Sequence, residues 1–216
     1  MKEAFSWEAF KAAPVVSIFR NLPSEALLEV ASCFAETGMS TMEITLNSEN
    51  ALQDIRTLVD RFGTRLNIGA GTVCDLEGME AALEAGAQFV VMPIVDEDVI
   101  GHCVSWGIPV FPGAYTPTEI YRAWKLGASM VKVFPANDLG PGYIKDVLAP
   151  LNKIALMPTG GITKENMGDF FKAGAKAMGI GSSIVPKSFI DGRDWEGLKH
   201  YLNEFYTHLQ TVKSSF

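Results

Sequence analysis

The sequence predicts an α/β fold of the (β/α)8 (TIM) barrel class, a single domain over residues 1–216 with a short N-terminal helix capping the barrel. Three observations carry this expectation. Eight short apolar runs, rich in β-branched and aromatic residues, recur along the 216 residues. A polar stretch with helical periodicity fills every gap between them. Six of those stretches end at a glycine (Gly38, Gly63, Gly86, Gly107, Gly127 and Gly174) two or three residues before the next run, where a helix end favours φ > 0.

Taken in order, the residues before Val15 form the capping helix and Val15–Arg20 the first strand, followed by a helix near Ser24–Glu36. Strand Thr41–Leu46 leads to helix Glu49–Arg61, and strand Asn67–Val73 to helix Leu76–Ala85. Strand Phe89–Ile94 leads to helix Asp96–Ser105. Strand Pro109–Pro112 leads to helix Thr116–Leu126, opened by Thr116-Pro117-Thr118-Glu119, a capping box with proline at the first helical position. Strands Met130–Pro135, Ile154–Pro158 and Ala177–Gly181 precede helices Gly142–Ala149, Thr163–Ala173 and Trp195–Leu209. A flavodoxin-like or Rossmann sheet needs fewer strands, and Gly69-Ala70-Gly71-Thr72-Val73-Cys74 lacks the G-x-G-x-x-G spacing.

Composition narrows the function. A net charge of −7 without basic clusters argues against nucleic acid as a partner. The longest apolar run, Phe89–Val95, falls far short of the ~20 residues of a membrane span. The opening Met1–Glu8 carries acids and no apolar core, so no signal peptide is expected and the chain reads as cytoplasmic. Cys33, Cys74 and Cys103 are dispersed and read as small buried hydrophobes in a reducing compartment. His102, His200 and His208 show no paired-ligand spacing, and His200 and His208 read as surface. Neither a metal nor a cofactor is expected.

Two charges interrupt apolar runs. Lys132 lies within Met130-Val131-Lys132-Val133-Phe134-Pro135, and Glu43 within Thr41-Met42-Glu43-Ile44-Thr45-Leu46. Burying an unpaired charge costs several kcal/mol, so each needs a partner, a shifted pKa or a chemical task. One reading is a structural buried ion pair. The other is an amine nucleophile beside a proton-transferring carboxylate. Barrel chemistry sits at the C-terminal ends of strands, and here those ends read Arg20, Glu43, Gly71-Thr72, Pro93, Gly113 with Tyr115, Lys132, Thr159-Gly160-Gly161 and Gly181-Ser182-Ser183. The last two groups place glycines and a helix start at the strand 7–8 corner, where barrels hold phosphate.

Together these segments resemble the 2-keto-3-deoxy-6-phosphogluconate (KDPG) / 4-hydroxy-2-oxoglutarate (KHG) aldolase family of class I lyases. The matching segments run from Val15 to about Pro186, among them Ser17-Ile18-Phe19-Arg20, Glu43-Ile44-Thr45-Leu46, Gly69-Ala70-Gly71-Thr72-Val73, Val131-Lys132-Val133-Phe134-Pro135-Ala136 and Pro158-Thr159-Gly160-Gly161-Ile162. The resemblance implies Lys132 as the Schiff-base lysine and Glu43 as general acid/base. It also implies Thr72 and Pro93 around the pyruvyl group, and Gly160, Gly161, Gly181 and Ser182 around the phosphate. Arg20 reads either as a donor to the substrate carboxylate or as a charge that keeps Glu43 ionised. A phosphorylated 2-keto-3-deoxy sugar acid and pyruvate are then the small-molecule partners, and a homotrimer is the implied assembly.

One departure bears on substrate. Many KDPG aldolases carry arginine where this chain has Asn47, and Leu46-Asn47-Ser48 with Asp138–Lys145 is similar to the sister group acting on the C4 epimer, 2-keto-3-deoxy-6-phosphogalactonate. Thr159 at the seventh strand end matches the gluconate enzymes, and on that residue the expectation favours KDPG. Two rivals remain: a phosphate-binding barrel isomerase or epimerase, and a catalytically silent barrel that senses sugar phosphates. The second should have lost Lys132 or Glu43, and this chain has both.

Overall fold

The computed structural model describes residues 4–215; Met1, Lys2 and Glu3, which carry part of the signal-peptide expectation, lie outside them. The chain runs α1 Trp7–Ala12, β1 Val15–Phe19, α2 Ser24–Glu36, β2 Thr41–Thr45, α3 Ala51–Phe62, β3 Asn67–Gly71, α4 Leu76–Ala85 and β4 Val90–Val91. It continues α5 Glu97–Ser105, β5 Val110–Phe111, β6 Gly113–Ala114, α6 Pro117–Lys125, β7 Val131–Val133, α7 Gly140–Leu148 and β8 Leu156–Pro158. The last elements are α8 Met167–Lys172, β9 Met178–Ile180, α9 Lys187–Gly192 and α10 Trp195–Lys213. No helix among the described residues is long and apolar enough to cross a membrane.

All strand pairings are parallel, in a six-stranded sheet ordered β5-β4-β3-β2-β1-β9 and a three-stranded sheet ordered β6-β7-β8. The α/β class and the parallel curvature follow the sequence expectation; the single unbroken eight-strand ladder does not. The fifth strand, expected over Pro109–Pro112, keeps only Val110–Phe111 as β5 and resumes beyond Pro112 as β6, because Pro112 has no N–H to give the ladder. The seams are narrow. At one, Ser129 and Lys132 donate their N–H groups to Val110 O at 3.0 Å and Pro112 O at 2.9 Å; at the other, Lys176 donates its N–H to Leu156 O at 2.9 Å and a bridge joins Thr159 and Gly179.

Strand positions alternate between two layers. Val15, Met42, Ile44, Ile68, Val90, Val131 and Leu156 pack outward against the helices, while Val16, Phe89, Val91, Phe111, Met130 and Met157 fill a second, inner cluster. Parallel strands covered on both faces read as continuous apolar runs for this reason. Helix α2 buries Leu27, Val30, Ala31 and Phe34, the i, i+3, i+4, i+7 stripe of an amphipathic helix. Helix α1 closes the inner cluster from below: Phe10 stacks on Phe111 at 6.0 Å, and Phe5 meets Phe89 at 5.4 Å. The Asn67 side chain ties this segment down by accepting the Ser6 N–H at 2.7 Å and donating to Ser6 O at 3.1 Å.

Several local expectations change. Gly86, Gly107, Gly127 and Gly174 have positive φ, but Gly63 has φ −58° and Gly38 is not among the positive-φ residues. Gly38 is needed because a Cβ there would overlap the Tyr206 ring. The helix expected over Thr163–Ala173 is shortened to α8, since the Asn166 side chain folds back to accept the Thr163 N–H at 2.8 Å. Helix α9 was not expected. Cys33 and Cys103 are buried, with burial raising both thiols to about 11, but Cys74 is exposed.

Candidate active site

Glu43 and Lys132 come from β2 and β7, and both are buried, at 1% and 6% exposure. Gly71 makes room for Glu43, since a Cβ at that position would overlap Glu43 Oε1. Oε2 of Glu43 is buried without a hydrogen-bond partner. Burial therefore raises the carboxyl pKa, against the lowering influence of Lys132 and, next, of Arg20. Lys132 Nζ stands 4.9 Å from the centre of the Phe134 ring, where the aromatic face offers it a partial counter-charge. Among the described residues no ion pair or hydrogen bond joins Lys132 to Glu43.

A cavity of about 690 Å³ is lined by Arg20, Phe134, Thr159, Gly160, Gly181 and Ser182 among others; neither Lys132 nor Glu43 lines it, and Phe134, whose ring faces Lys132 Nζ, is the link between them. Arg20 is exposed at the exit of β1. Gly160 and Gly161 have φ 103° and 70°, values a side chain strains to adopt, and the Asn137 side chain lies against both. Asn166 pins the same loop by donating to Gly161 O at 2.8 Å. No hydrogen bond among the described residues takes up the N–H groups of Gly160, Gly161 or Ser182, which leaves them for an anion.

The structure thus gathers Arg20, Thr159, Gly160, Gly181 and Ser182 on one cavity wall and couples Arg20, Lys132 and Glu43 electrostatically. Lys132, Glu43, Gly161, Thr72 and Pro93 are not on that wall. Thr72 has φ 58°, a left-handed conformation that is costly for a β-branched residue and that clusters at functional sites. The Pro93 carbonyl presses on Gly113, where a Cβ would clash with it. The Thr159 hydroxyl is spent inside its own strand, donating to Met157 O at 3.3 Å, and a Cβ on Gly179 would overlap it. Tyr115 is exposed, with Tyr143 Oη donating to its carbonyl.

Sequence reasoning missed Asn137, and it missed the part of the wall supplied by Ile184, Val185, Lys187 and Ile190 around α9. Pro186 immediately before Lys187 was the available sign of a helix start there. The expected surface position of His200 is observed; it is exposed and 3.4 Å from Glu204.

A family model for KDPG and KHG aldolase matches residues 7–201. The chain is 38% identical over 79% of its length to 2-dehydro-3-deoxy-6-phosphogalactonate aldolase of Escherichia coli K12, covering 84% of that protein. It is 33% identical over 88% of its length to 2-dehydro-3-deoxy-phosphogluconate aldolase of Pseudomonas aeruginosa, covering 86% of it. A solved structure described as native KDPGal superposes with TM-score 0.87 at 31% identity, over 98% of this chain and 99% of the other. The KDPG aldolase of Legionella pneumophila, solved with pyruvate captured as a covalent carbinolamine, superposes with TM-score 0.83 at 26% identity, over 91% and 96% of the two chains.

Proposed function

Because the chain belongs to the KDPG and KHG aldolase family, whose members are class I Schiff-base lyases, we propose that it cleaves a 6-phosphorylated 2-keto-3-deoxy sugar acid to pyruvate and glyceraldehyde 3-phosphate, with Lys132 forming the imine and Glu43 moving the protons. The observation that carries this reading is the buried Lys132–Glu43 arrangement. A pair kept for structure alone would be in contact and hydrogen-bonded. These two are coupled through space yet share no bond, and Oε2 of Glu43 is left without a donor. We read the two sheets as one domain, a barrel of eight βα units whose mouth holds this pair.

In the proposed reaction the neutral Lys132 amine attacks the C2 ketone, and loss of water from the carbinolamine leaves a protonated imine. Glu43, whose buried carboxyl holds protons more tightly than an ordinary one, suits the protonation of the departing hydroxyl. The Glu43 carboxylate then takes the C4 hydroxyl proton, directly or through a water. The C3–C4 bond breaks with its electron pair drawn into the imine, and the aldehyde leaves. The enamine gains a proton at C3, and hydrolysis returns Lys132 and pyruvate. Thr72 and Pro93 hold the pyruvyl group. The loop N–H groups at Gly160, Gly161, Gly181 and Ser182 hold the phosphate, as anion-binding glycine turns do. Arg20 lowers the Glu43 pKa and stands ready to meet the substrate carboxylate.

The gluconate is the substrate favoured by the residue at position 159. A second reading, the galactonate, has its own support: the Thr159 hydroxyl is already spent on Met157 O, and Asn47 is exposed at the β2 exit. 4-Hydroxy-2-oxoglutarate is a further candidate, cleaved to pyruvate and glyoxylate. Borohydride trapping with pyruvate, followed by peptide mass mapping, tests the imine. An adduct on Lys132, lost in Lys132→Met, is expected; a folded protein without an adduct would return the site to an isomerase or a sensor. Coupled rates on the two C4 epimers then assign the substrate.

A further inference from the structure

Beyond β2 the chain makes a tight turn, closed by the Ser48 N–H on Thr45 O at 3.0 Å. The Ser48 side chain crosses from this turn to the exit of β1. There its Oγ accepts the Asn21 N–H at 2.9 Å and lies 3.1 Å from Thr45 Oγ1, which is 3.4 Å from Phe19 O. The direction of each bond is forced. A carbonyl only accepts, so the Thr45 hydroxyl gives its one proton to Phe19 O. Ser48 must then give its proton to Thr45 Oγ1, which leaves its lone pairs for Asn21.

This relay grips the residues on either side of Arg20. Asn21 has φ 54°, a left-handed conformation that persists only where its surroundings hold it. Arg20, between the two anchored residues, lines the cavity and lowers the Glu43 pKa. We propose that Ser48 is a positioning residue: through Asn21 and Thr45 it locks the β1 exit so that the Arg20 guanidinium is presented to the cavity and to Glu43. This rests on the aldolase reading above and adds to it a residue whose effect on substrate passes entirely through Arg20.

The test compares wild type, Ser48→Ala, Ser48→Thr, Thr45→Val, Arg20→Ala and the Arg20→Ala/Ser48→Ala double variant on the faster of the two C4 epimers across pH. Pyruvate trapping is run on each. Ser48→Ala should raise KM roughly tenfold with kcat changed by no more than about twofold, the effect of one lost hydrogen bond to a binding group. It should also move the acid limb of kcat/KM to higher pH, because Glu43 loses part of what stabilises its carboxylate. Ser48→Thr, which keeps the hydroxyl, should restore both. On the Arg20→Ala background the Ser48 change should add nothing. Thr45→Val breaks the same relay at nearly constant volume, so it should reproduce the KM and pH signature even where Ser48→Ala fails to fold. A wild-type KM and pH profile in either relay variant overturns the proposal, as does an equal further loss on the Arg20→Ala background. Absence of a pyruvate adduct on wild type would instead remove the aldolase reading, and with it this role for Ser48.

Discussion

Glu43 is a carboxyl surrounded by protein, with one oxygen lacking any donor, and its pKa is raised because burial outweighs the pull of Lys132 and Arg20. A group whose folded-state pKa is raised supports the folded state fully below its unfolded value, and that support is lost as pH rises through the folded value. Measured by urea denaturation, the stability of wild type relative to Glu43→Gln should therefore fall as pH climbs above the ordinary carboxylate range. A difference that rises with pH would mean that Lys132 and Arg20 dominate instead. The same substitution should cut turnover by roughly 10²–10⁴, the usual worth of a positioned acid/base, while leaving some imine formation. Ser17 presents the opposite case, a buried hydroxyl with no partner, turned toward the helix layer rather than the site. Removing an unsatisfied group is near neutral or stabilising, so Ser17→Ala should change stability by less than about 1 kcal/mol and leave activity untouched; a larger loss would reveal an unseen hydrogen bond.

At the scale of elements, the seam between β8 and β9 is held by the bridge of Thr159 to Gly179 and by the Lys176 N–H donating to Leu156 O at 2.9 Å. A Cβ on Gly179 would overlap the buried Thr159 side chain. Gly179→Ala should cost about 1–3 kcal/mol, as overpacking does, and should weaken binding of phosphorylated substrate by shifting the adjacent Gly160 loop; unchanged melting and KM would refute this. Elements with local causes were legible in the sequence. Helices α2 and α4 begin and end where periodicity puts them, with Gly86 closing α4. Lys132 and Glu43 were legible because a charge inside an apolar run is anomalous without any structure. What was illegible depends on distant partners. Gly38 looks like a helix stop but answers to Tyr206, near the other end of the chain. Helix α9 buries no residue fully and so leaves no apolar stripe to read. Ser48 and Asn137 are polar residues in polar loops, and only folding shows that one grips Asn21 while the other supports Gly160.

For the whole molecule, the acidic chain leaves large apolar side chains uncovered on its outer helices. Trp106 at the end of α5 is 55% exposed, Tyr121 on α6 50%, and Ile94 in the loop entering α5 50%. The two helices are neighbours: Glu97 on α5 pairs with Arg122 on α6 at 2.6 Å, and Gly127 beyond α6 abuts Val104 on α5. Scattered exposed hydrophobes need no explanation, but a group rich in aromatics on adjacent elements is the composition of an interface core. A homotrimer is the assembly that the family resemblance implies. Light scattering should then give a particle of three chains of 23.5 kDa each. Trp106→Glu should shift that mass downward, because packing a carboxylate against another chain costs it its hydration. The cavity residues at β1 and its exit, at Phe134 and in the segments after β8 and β9 all come from one chain, so the dissociated variant should still trap pyruvate on Lys132. Loss of trapping together with mass would mean that a neighbouring copy completes the site. A wild type that is monomeric throughout would separate this chain from its family at the level of assembly, while leaving the chemistry of Lys132 and Glu43 to stand on its own geometry.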